Sequence, residues 1–326
     1  MNSADVPTLR VMATDTATRH RLVTRSDFDG LVCAALLKRL GILDDILFVH
    51  PKDMQDGKVD LLGTDITTNL PYNEGVHLAF DHHDSEVERL AGRRPDNHVI
   101  DPAARSAARV VYDHFGGDER FGGWPWTELL WAVDKADSAD FTEAEILDPT
   151  GWILLSFLMD PRTGLGRFRD FRISNYQLMM QLIDACTELT AEEILETPDV
   201  AERVALYREH SAQAVDQIRR LARVHGDVVV LYLRDEEVIH AGNRFMVYAL
   251  FPQCRVSMHV LWGLKQQNTV LAVGKSILDR TSPVDIGALM LAYEGGGHEA
   301  AGTCQVPNDG AERILGDIVT RINRAG

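Results

Sequence analysis

At residues 76–83 the chain reads VHLAFDHH, an apolar run that ends in a carboxylate and two imidazoles. The run at 76–80 predicts a buried β-strand. Charged and polar side chains at the end of such a strand are costly unless a partner satisfies them. Imidazole and carboxylate groups are ligands for divalent metal ions, so Asp81, His82 and His83 predict a metal or substrate site at this strand end.

Strands and helices alternate on both sides of this stretch. We predict strands at residues 20–24, 46–49, 59–64 and 76–80, and helices at 31–40 and 103–115. This alternation predicts an α/β fold with a doubly wound, mostly parallel sheet. In such a sheet, ligands bind at the carboxyl ends of the strands.

The pattern changes in the second half of the chain. A largely helical stretch extends from about residue 127 to 221, followed by strands at 228–233, 255–261 and 269–273 and a helix at 284–294. We therefore predict a metal-binding domain over residues 1–205, a helical linker over 206–225, and a smaller α/β domain with a mixed sheet over 226–326.

Composition limits the classes of function. The chain has 326 residues, enough for two cores, and a formal net charge of −16. That charge disfavours binding of long duplex nucleic acid and favours a small anionic substrate held through cations and a local basic pocket. The sequence shows no membrane-spanning apolar run, no signal-peptide pattern and no CxxC pair among its 4 cysteines, which together predict a cytoplasmic protein.

Further carboxylates lie at comparable positions. Asp27 and Asp29 follow the first predicted strand, Asp65 follows the strand at 59–64, and Asp134 and Asp137 lie three apart on a predicted helix. Alone, each could be a turn or surface residue. Together they predict one site, because three of the clusters end a strand at the same sheet edge. Carboxylates and imidazoles without thiolates favour manganese or magnesium over structural zinc.

Four segments resemble, in order, the four motifs of the DHH phosphoesterase superfamily: SDFDG at 26–30, Asp65, DHH at 81–83, and Asp134. The segment GGGHEAAG at 295–302 resembles the glycine-rich signature of the C-terminal domain associated with that family. The resemblance therefore covers both halves of the chain.

The resemblance implies a set of metal ligands: Asp27, Asp29, Asp65, His82 and Asp134, with Asp137 as the alternate for the last. It also implies that two manganese ions, or magnesium ions, activate water for hydrolysis. Asp81 would anchor the site, and His83 would face the substrate phosphate.

One departure from the family pattern concerns the residues before Asp27. Many members carry a histidine there, whereas this chain has Arg25 in that stretch. Either one ion is held more weakly, or Arg25 contacts phosphate.

A second anion site is predicted near the C-terminus. Gly295, Gly296 and Gly297 would let backbone N–H groups approach a phosphate closely, and His298 would add a charge-assisted hydrogen bond. The alternative interpretation is a helix C-cap, which needs only one glycine. Lys275 is a further candidate phosphate contact.

The function expected from these features is metal-dependent hydrolysis of phosphodiester or phosphomonoester bonds in short oligonucleotides or small nucleotides. Two alternatives stay open: an exopolyphosphatase, and a non-catalytic nucleotide-binding regulatory module that has kept the fold. The expected partner is a small anionic phosphate compound rather than long duplex nucleic acid or a membrane. A homodimer is compatible with the sequence.

Overall fold

The structure is a computed structural model that describes residues 19–168 and 170–326. The chain divides into two compact units, the first comprising residues 1–138 and 179–190 and the second comprising residues 139–178 and 191–326. The domain limits predicted at residues 205 and 225 stay a prediction, because compactness alone does not show which segments fold on their own.

Within the described residues, the first unit contains a five-stranded sheet in the order β2-β1-β3-β4-β5. Every pairing in this sheet is parallel. The predicted parallel sheet is therefore confirmed. Its strands are β1 (His20–Thr24), β2 (Leu43–Phe48), β3 (Ile66–Thr68), β4 (Leu78–Asp81) and β5 (His98–Ile100).

Helix α1 is the central helix of the first unit. Residues 28–37 within it are all buried, which explains why its sequence is apolar on nearly every side. It packs against α4 and α6. The helices of this unit are α1 (Phe28–Arg39), α2 (Pro51–Gln55), α3 (Asp84–Arg89), α4 (Ala107–His114), α5 (Gly117–Phe121) and α6 (Trp126–Asp137).

The strand predicted at residues 59–64 is wrong. This segment is irregular, and its apolar side chains Val59 and Leu61 pack against buried core residues without joining the sheet. The strand begins later, at Ile66. As a result Asp65 precedes β3 and lies at the amino edge of the parallel sheet, whereas Asn69 follows β3 at the carboxyl edge.

The second unit contains, in its described part, a six-stranded mixed sheet in the order β10-β11-β9-β8-β7-β6. The β7–β8 pair is parallel, and its neighbours are antiparallel. This confirms the predicted mixed sheet. The strands are β6 (Ala222–His225), β7 (Val228–Tyr232), β8 (Val256–Trp262), β9 (Thr269–Lys275), β10 (Gly296–His298) and β11 (Ala301–Val306).

Two helices, α13 (Ile286–Leu291) and α14 (Ala311–Ala325), cover the core of the second unit, where Ile286 and Ile318 pack with the strand residue Val256. Helix α9 (Asn175–Glu188) begins in the second unit and continues in the first. The remaining helices are α7 (Glu143–Leu147), α8 (Gly151–Met159), α10 (Ala191–Glu196), α11 (Pro198–Leu221) and α12 (Met246–Leu250). No helix among the described residues is both long enough and apolar enough to cross a bilayer.

Gly30 lies where α1 passes close to the end of β1. A Cβ atom at this position would overlap the carbonyl oxygen of Arg25 and lie 2.8 Å from Oγ1 of Thr24. The close approach of helix to strand, which brings Asp27 and Asp29 to the sheet edge, therefore requires glycine.

We expect Gly30→Ala to lower the free energy of unfolding by about 1–3 kcal/mol, because the backbone must shift to accept the methyl group. Chemical denaturation measures this. The control is Gly316→Ala in α14, where a Cβ meets nothing within 4 Å. A glycine-to-alanine change in an open helical position is expected to be neutral or stabilising. Equal effects at both positions would contradict the prediction.

Candidate metal centre

Three of the predicted ligands come together from separate elements. Asp29 lies in the first turn of α1, His82 follows β4, and Asp137 ends α6. One potential ligand atom from each lies within 4.8 Å of the others. Carboxylate and imidazole donors grouped in this way suit a divalent metal ion.

Asp29 is buried and held by backbone donors. Its carboxylate accepts hydrogen bonds from the N–H groups of Ala107, at 3.1 Å, and Ala108, at 2.8 Å, in the first turn of α4. Burial and the negative charge of Asp137 nevertheless raise the pKa of Asp29 to about 7. The two carboxylates of the cluster therefore repel one another, and a bound cation would relieve this repulsion.

His82 is oriented for metal binding. Its Nδ1 lies 3.3 Å from the carbonyl oxygen of Ala104, an acceptor that favours the proton on Nδ1 and leaves the Nε2 lone pair for a ligand. Nε2 lies 2.9 Å from Oδ2 of Asp137 but makes no well-aligned hydrogen bond. Burial alone would lower the pKa of His82, but the interactions with Asp137 and Asp29 raise it to about 9.

Asp134, the preferred fourth-motif residue, is not brought to His82. Its Oδ1 accepts a hydrogen bond of 2.7 Å from the Ser106 hydroxyl, and its Oδ2 accepts one of 2.5 Å from Arg109. Both oxygens are thus used inside the protein. The structure places the alternate residue, Asp137, beside His82 instead, and which of the two binds an ion stays a prediction.

Asp65 is also not brought to the cluster. Its carboxylate is fully buried and accepts hydrogen bonds of 3.0 Å and 2.6 Å from Arg21 and one of 2.8 Å from the backbone N–H of Leu62. Because Asp65 precedes β3, these contacts are at the edge opposite His82. The side chain fixes an irregular segment onto β1.

Asn69 is a candidate site residue that the sequence prediction missed. It directly follows β3, is 2% exposed, and has a φ of 54°. Its amide oxygen and nitrogen are both buried without a hydrogen-bond partner in the described part of the chain. A buried amide of this kind requires a partner, and residues 19–168 and 170–326 do not supply one. The signal in the sequence was a polar residue directly after a β-branched run.

The strand register defines the position of Asn69. Thr24 of β1 lies beside Thr68 of β3, and Thr68 lies beside Phe80 of β4. Arg25, Asn69 and Asp81 are the residues that directly follow these three, at the carboxyl edge of the sheet.

Asp27 is at this edge, but its carboxylate already has partners. Oδ1 accepts the N–H of Gly30 at 3.0 Å and so caps α1, and Oδ2 lies 3.0 Å from Nε of Arg25. The Arg25 guanidinium thus points toward the carboxylates at the carboxyl edge of the sheet.

Asp81 orients His83. One carboxylate oxygen of Asp81 accepts the backbone N–H of His82 at 2.8 Å and lies 2.7 Å from Nδ1 of His83. This hydrogen bond raises the pKa of His83. The His83 side chain is 42% exposed, so an oriented imidazole is accessible beside the candidate metal ligands.

The glycine-rich segment lies in the second unit, where residues 296–298 form β10 beside β11. A Cβ atom would overlap a backbone oxygen of β11 at Gly295 and at Gly297, whereas one at Gly296 would meet nothing within 4 Å. Close packing therefore explains the first and third glycines, and only Gly296 is open.

His298 and Lys275 belong to the same sheet. His298 is exposed, and its Nδ1 lies 3.3 Å from the N–H of Ala300. Nζ of Lys275 lies 2.9 Å from the carboxylate of Glu299. The role of these residues in phosphate binding stays a prediction.

The fold and the DHH segment together define a class. The chain belongs to the DHH family of phosphoesterases, and the expected family and fold are confirmed. Among solved structures it is similar to PggH from Vibrio cholerae, a pGpG-specific phosphodiesterase. The two are 57% identical, the match covers 94% of this chain and 100% of PggH, and the TM-score is 0.84.

More distant structures share the fold alone. RecJ from Thermus thermophilus, solved in complex with Mn²⁺, is 17% identical with a TM-score of 0.55, over 98% of this chain and 56% of RecJ. CDC45 from Entamoeba histolytica is 8% identical with a TM-score of 0.53, over 94% of this chain and 95% of CDC45. No protein-family model and no curated protein sequence matches the chain.

Proposed function

We propose that this protein is a metal-dependent phosphodiesterase of short oligonucleotides, with the dinucleotide pGpG as its first candidate substrate. The observation that carries the proposal is the cluster of Asp29, His82 and Asp137 at the carboxyl edge of the sheet. The 57% identity to a pGpG-specific phosphodiesterase supports the choice of substrate.

The residues of the cluster fit a divalent ion. Asp29, His82 and Asp137 would hold it, and the partnerless amide of Asn69 lies at the same edge of the described sheet. Manganese is the ion we propose, with magnesium as the alternative, because the donors are carboxylate and imidazole without thiolate. When bound, such an ion acts as a Lewis acid and lowers the pKa of a water ligand.

The other residues at this edge would bind and orient the phosphate. His83, held at Nδ1 by Asp81, would donate a hydrogen bond from its other ring nitrogen to a non-bridging phosphate oxygen. The guanidinium of Arg25 would attract the phosphate to the acidic edge. In the second unit, Gly296, His298 and Lys275 would form a separate contact for an anionic group.

The alternatives have less support. Two carboxylates held close together, with Asp29 buried, have no evident use in a module that only binds nucleotides, because neighbouring like charges are costly without a cation. The net charge of −16 opposes a long polyanion such as polyphosphate more strongly than a dinucleotide.

The test compares three substrates with protein freed of metal by a chelator: pGpG, 3′-phosphoadenosine 5′-phosphate and polyphosphate. We expect hydrolysis of pGpG to two molecules of GMP only after Mn²⁺ is restored, because the cluster alone cannot activate water. Chromatography of the products measures this. Absence of turnover of pGpG in the presence of Mn²⁺, or preferred turnover of polyphosphate, would contradict the proposal.

A further inference from the structure

We propose that this site binds one divalent ion, and that Arg25 supplies the positive charge that a second ion would otherwise provide. The inference rests on the proposed function and revises the two ions implied by the family resemblance.

Three donors from separate elements form one compact group at this edge, and the amide of Asn69 lies at the same edge. Asp29, His82 and Asp137 each offer one ligand atom, and these atoms lie within 4.8 Å of one another. Three donors in one compact group are a sufficient set for a single catalytic ion, which also needs open positions for water and substrate.

Asp27 is the carboxylate closest in sequence to this group. Its Oδ1 accepts the N–H of Gly30 and caps α1, and its Oδ2 lies 3.0 Å from Nε of Arg25. To bind a metal ion, Asp27 would have to give up the ion pair with Arg25. The Asp27 carboxylate therefore caps α1 and forms an ion pair with Arg25.

The other carboxylates expected for a second ion are occupied elsewhere. Asp65 lies at the opposite edge of the sheet, where it is paired with Arg21. Asp134 is paired with Arg109 and Ser106. Neither carboxylate can bridge two ions without breaking a buried contact.

Arg25, Asn69 and Asp81 directly follow Thr24, Thr68 and Phe80, the last residues paired between β1, β3 and β4. The residues after these three strand positions offer one carboxylate, that of Asp81, whose Oδ1 already holds His83. Two divalent ions about 3.5–4 Å apart repel one another and need bridging carboxylates to hold them. Here the middle position carries a neutral amide, and its neighbour carries a positive charge.

Arg25 has the chemistry to replace the missing ion. A guanidinium is permanently charged and matches the geometry of a phosphate group. The Arg25 side chain is 31% exposed, so it is accessible to a substrate while it remains paired with Asp27. In this arrangement Asp29, His82 and Asp137 would hold the ion, and Arg25 would stabilise the negative charge on a phosphate oxygen.

The experiment is a count of bound ions. Chelator-treated wild-type protein is titrated with Mn²⁺, and free Mn²⁺ is followed by electron paramagnetic resonance, which does not depend on activity. We expect one ion per chain, with any second binding event at least about tenfold weaker. Two ions per chain bound within tenfold of each other would overturn the inference.

A double variant tests the reason for the count. Asn69→Asp with Arg25→Ala restores a carboxylate and removes the competing cation, so a second Mn²⁺ per chain is expected. The matched control, Asn73→Asp with Arg93→Ala, makes the same change of charge at exposed positions of the first unit and should leave the count at one. Thermal melts check that each variant is folded, and the wild-type count stands independently of them.

The two proposals fail in different ways. Two tightly bound ions together with Mn²⁺-dependent hydrolysis of pGpG would overturn the one-ion inference and leave the proposed function standing. A control variant that also gains an ion would overturn the assignment to Asn69 and Arg25.

Discussion

Asp137→Asn is expected to lower kcat/KM for pGpG by on the order of 10³-fold, because it removes a charged ligand from the metal ion that activates water. Asparagine has nearly the same shape as aspartate, so the end of α6 should keep its structure. Steady-state kinetics at saturating Mn²⁺, together with a Mn²⁺ titration, measure the effect. The titration should show weakened binding of the ion.

Asp134→Asn is the matched control for this prediction, since it is the same change three residues earlier on the same helix. Asp134 is paired with Arg109 and Ser106. Its replacement should therefore lower the free energy of unfolding by roughly 1–3 kcal/mol while Mn²⁺ still binds. The assignment would be contradicted if Asp134→Asn lost the ion and Asp137→Asn kept it.

Asp65→Ala is expected to destabilise the protein by about 2–4 kcal/mol, because it leaves Arg21 and the N–H of Leu62 without their acceptor. The folded variant should bind Mn²⁺ as the wild type does and keep its kcat, since Asp65 lies at the edge away from the metal ligands. Chemical denaturation and kinetics measure the two effects separately.

The control for Asp65 is Asp44→Ala. Asp44 also faces an arginine, Arg19, but at 4.0 Å on the exposed surface, so little change in stability is expected. A loss of turnover in Asp65→Ala with unchanged stability would support the ligand role implied by the family resemblance and would rule out a purely structural role for Asp65.

The parallel sheet and the DHH segment were predictable from sequence because they depend on local pattern. The apolar run at 76–80, followed at once by charged and polar residues, gives a buried strand with its end at a ligand site. The mixed sheet of the second unit was likewise predictable from strands that follow one another without intervening long helices.

The position of β3 could not be predicted from local pattern. The three residues of β3 include Thr67 and Thr68, which are polar but buried because the strand is central in the sheet. The strand was therefore predicted at the more apolar segment that contains residues 59–62. Because the predicted strand was placed a few residues too early, Asp65 was assigned to the carboxyl edge of the sheet. For the same reason Asn69 was not predicted as a site residue.

The choice between Asp134 and Asp137 depends on tertiary contacts. The two residues lie three apart on α6, so helical periodicity places them on roughly one face and does not distinguish them. Asp134 is neutralised by Arg109 of α4, a partner 25 residues away in sequence. The apolar residues before Asp134 indicated that its carboxylate is buried. A buried carboxylate can be neutralised by an ion pair as well as by a metal ion.

The most direct test of the metal site is an anomalous difference map from crystals grown with Mn²⁺. We expect an anomalous peak in contact with Asp29, His82 and Asp137, and none at Asp65 or Asp134. A peak coordinated by Asp65 or Asp134, or no peak beside His82, would contradict the proposed metal centre.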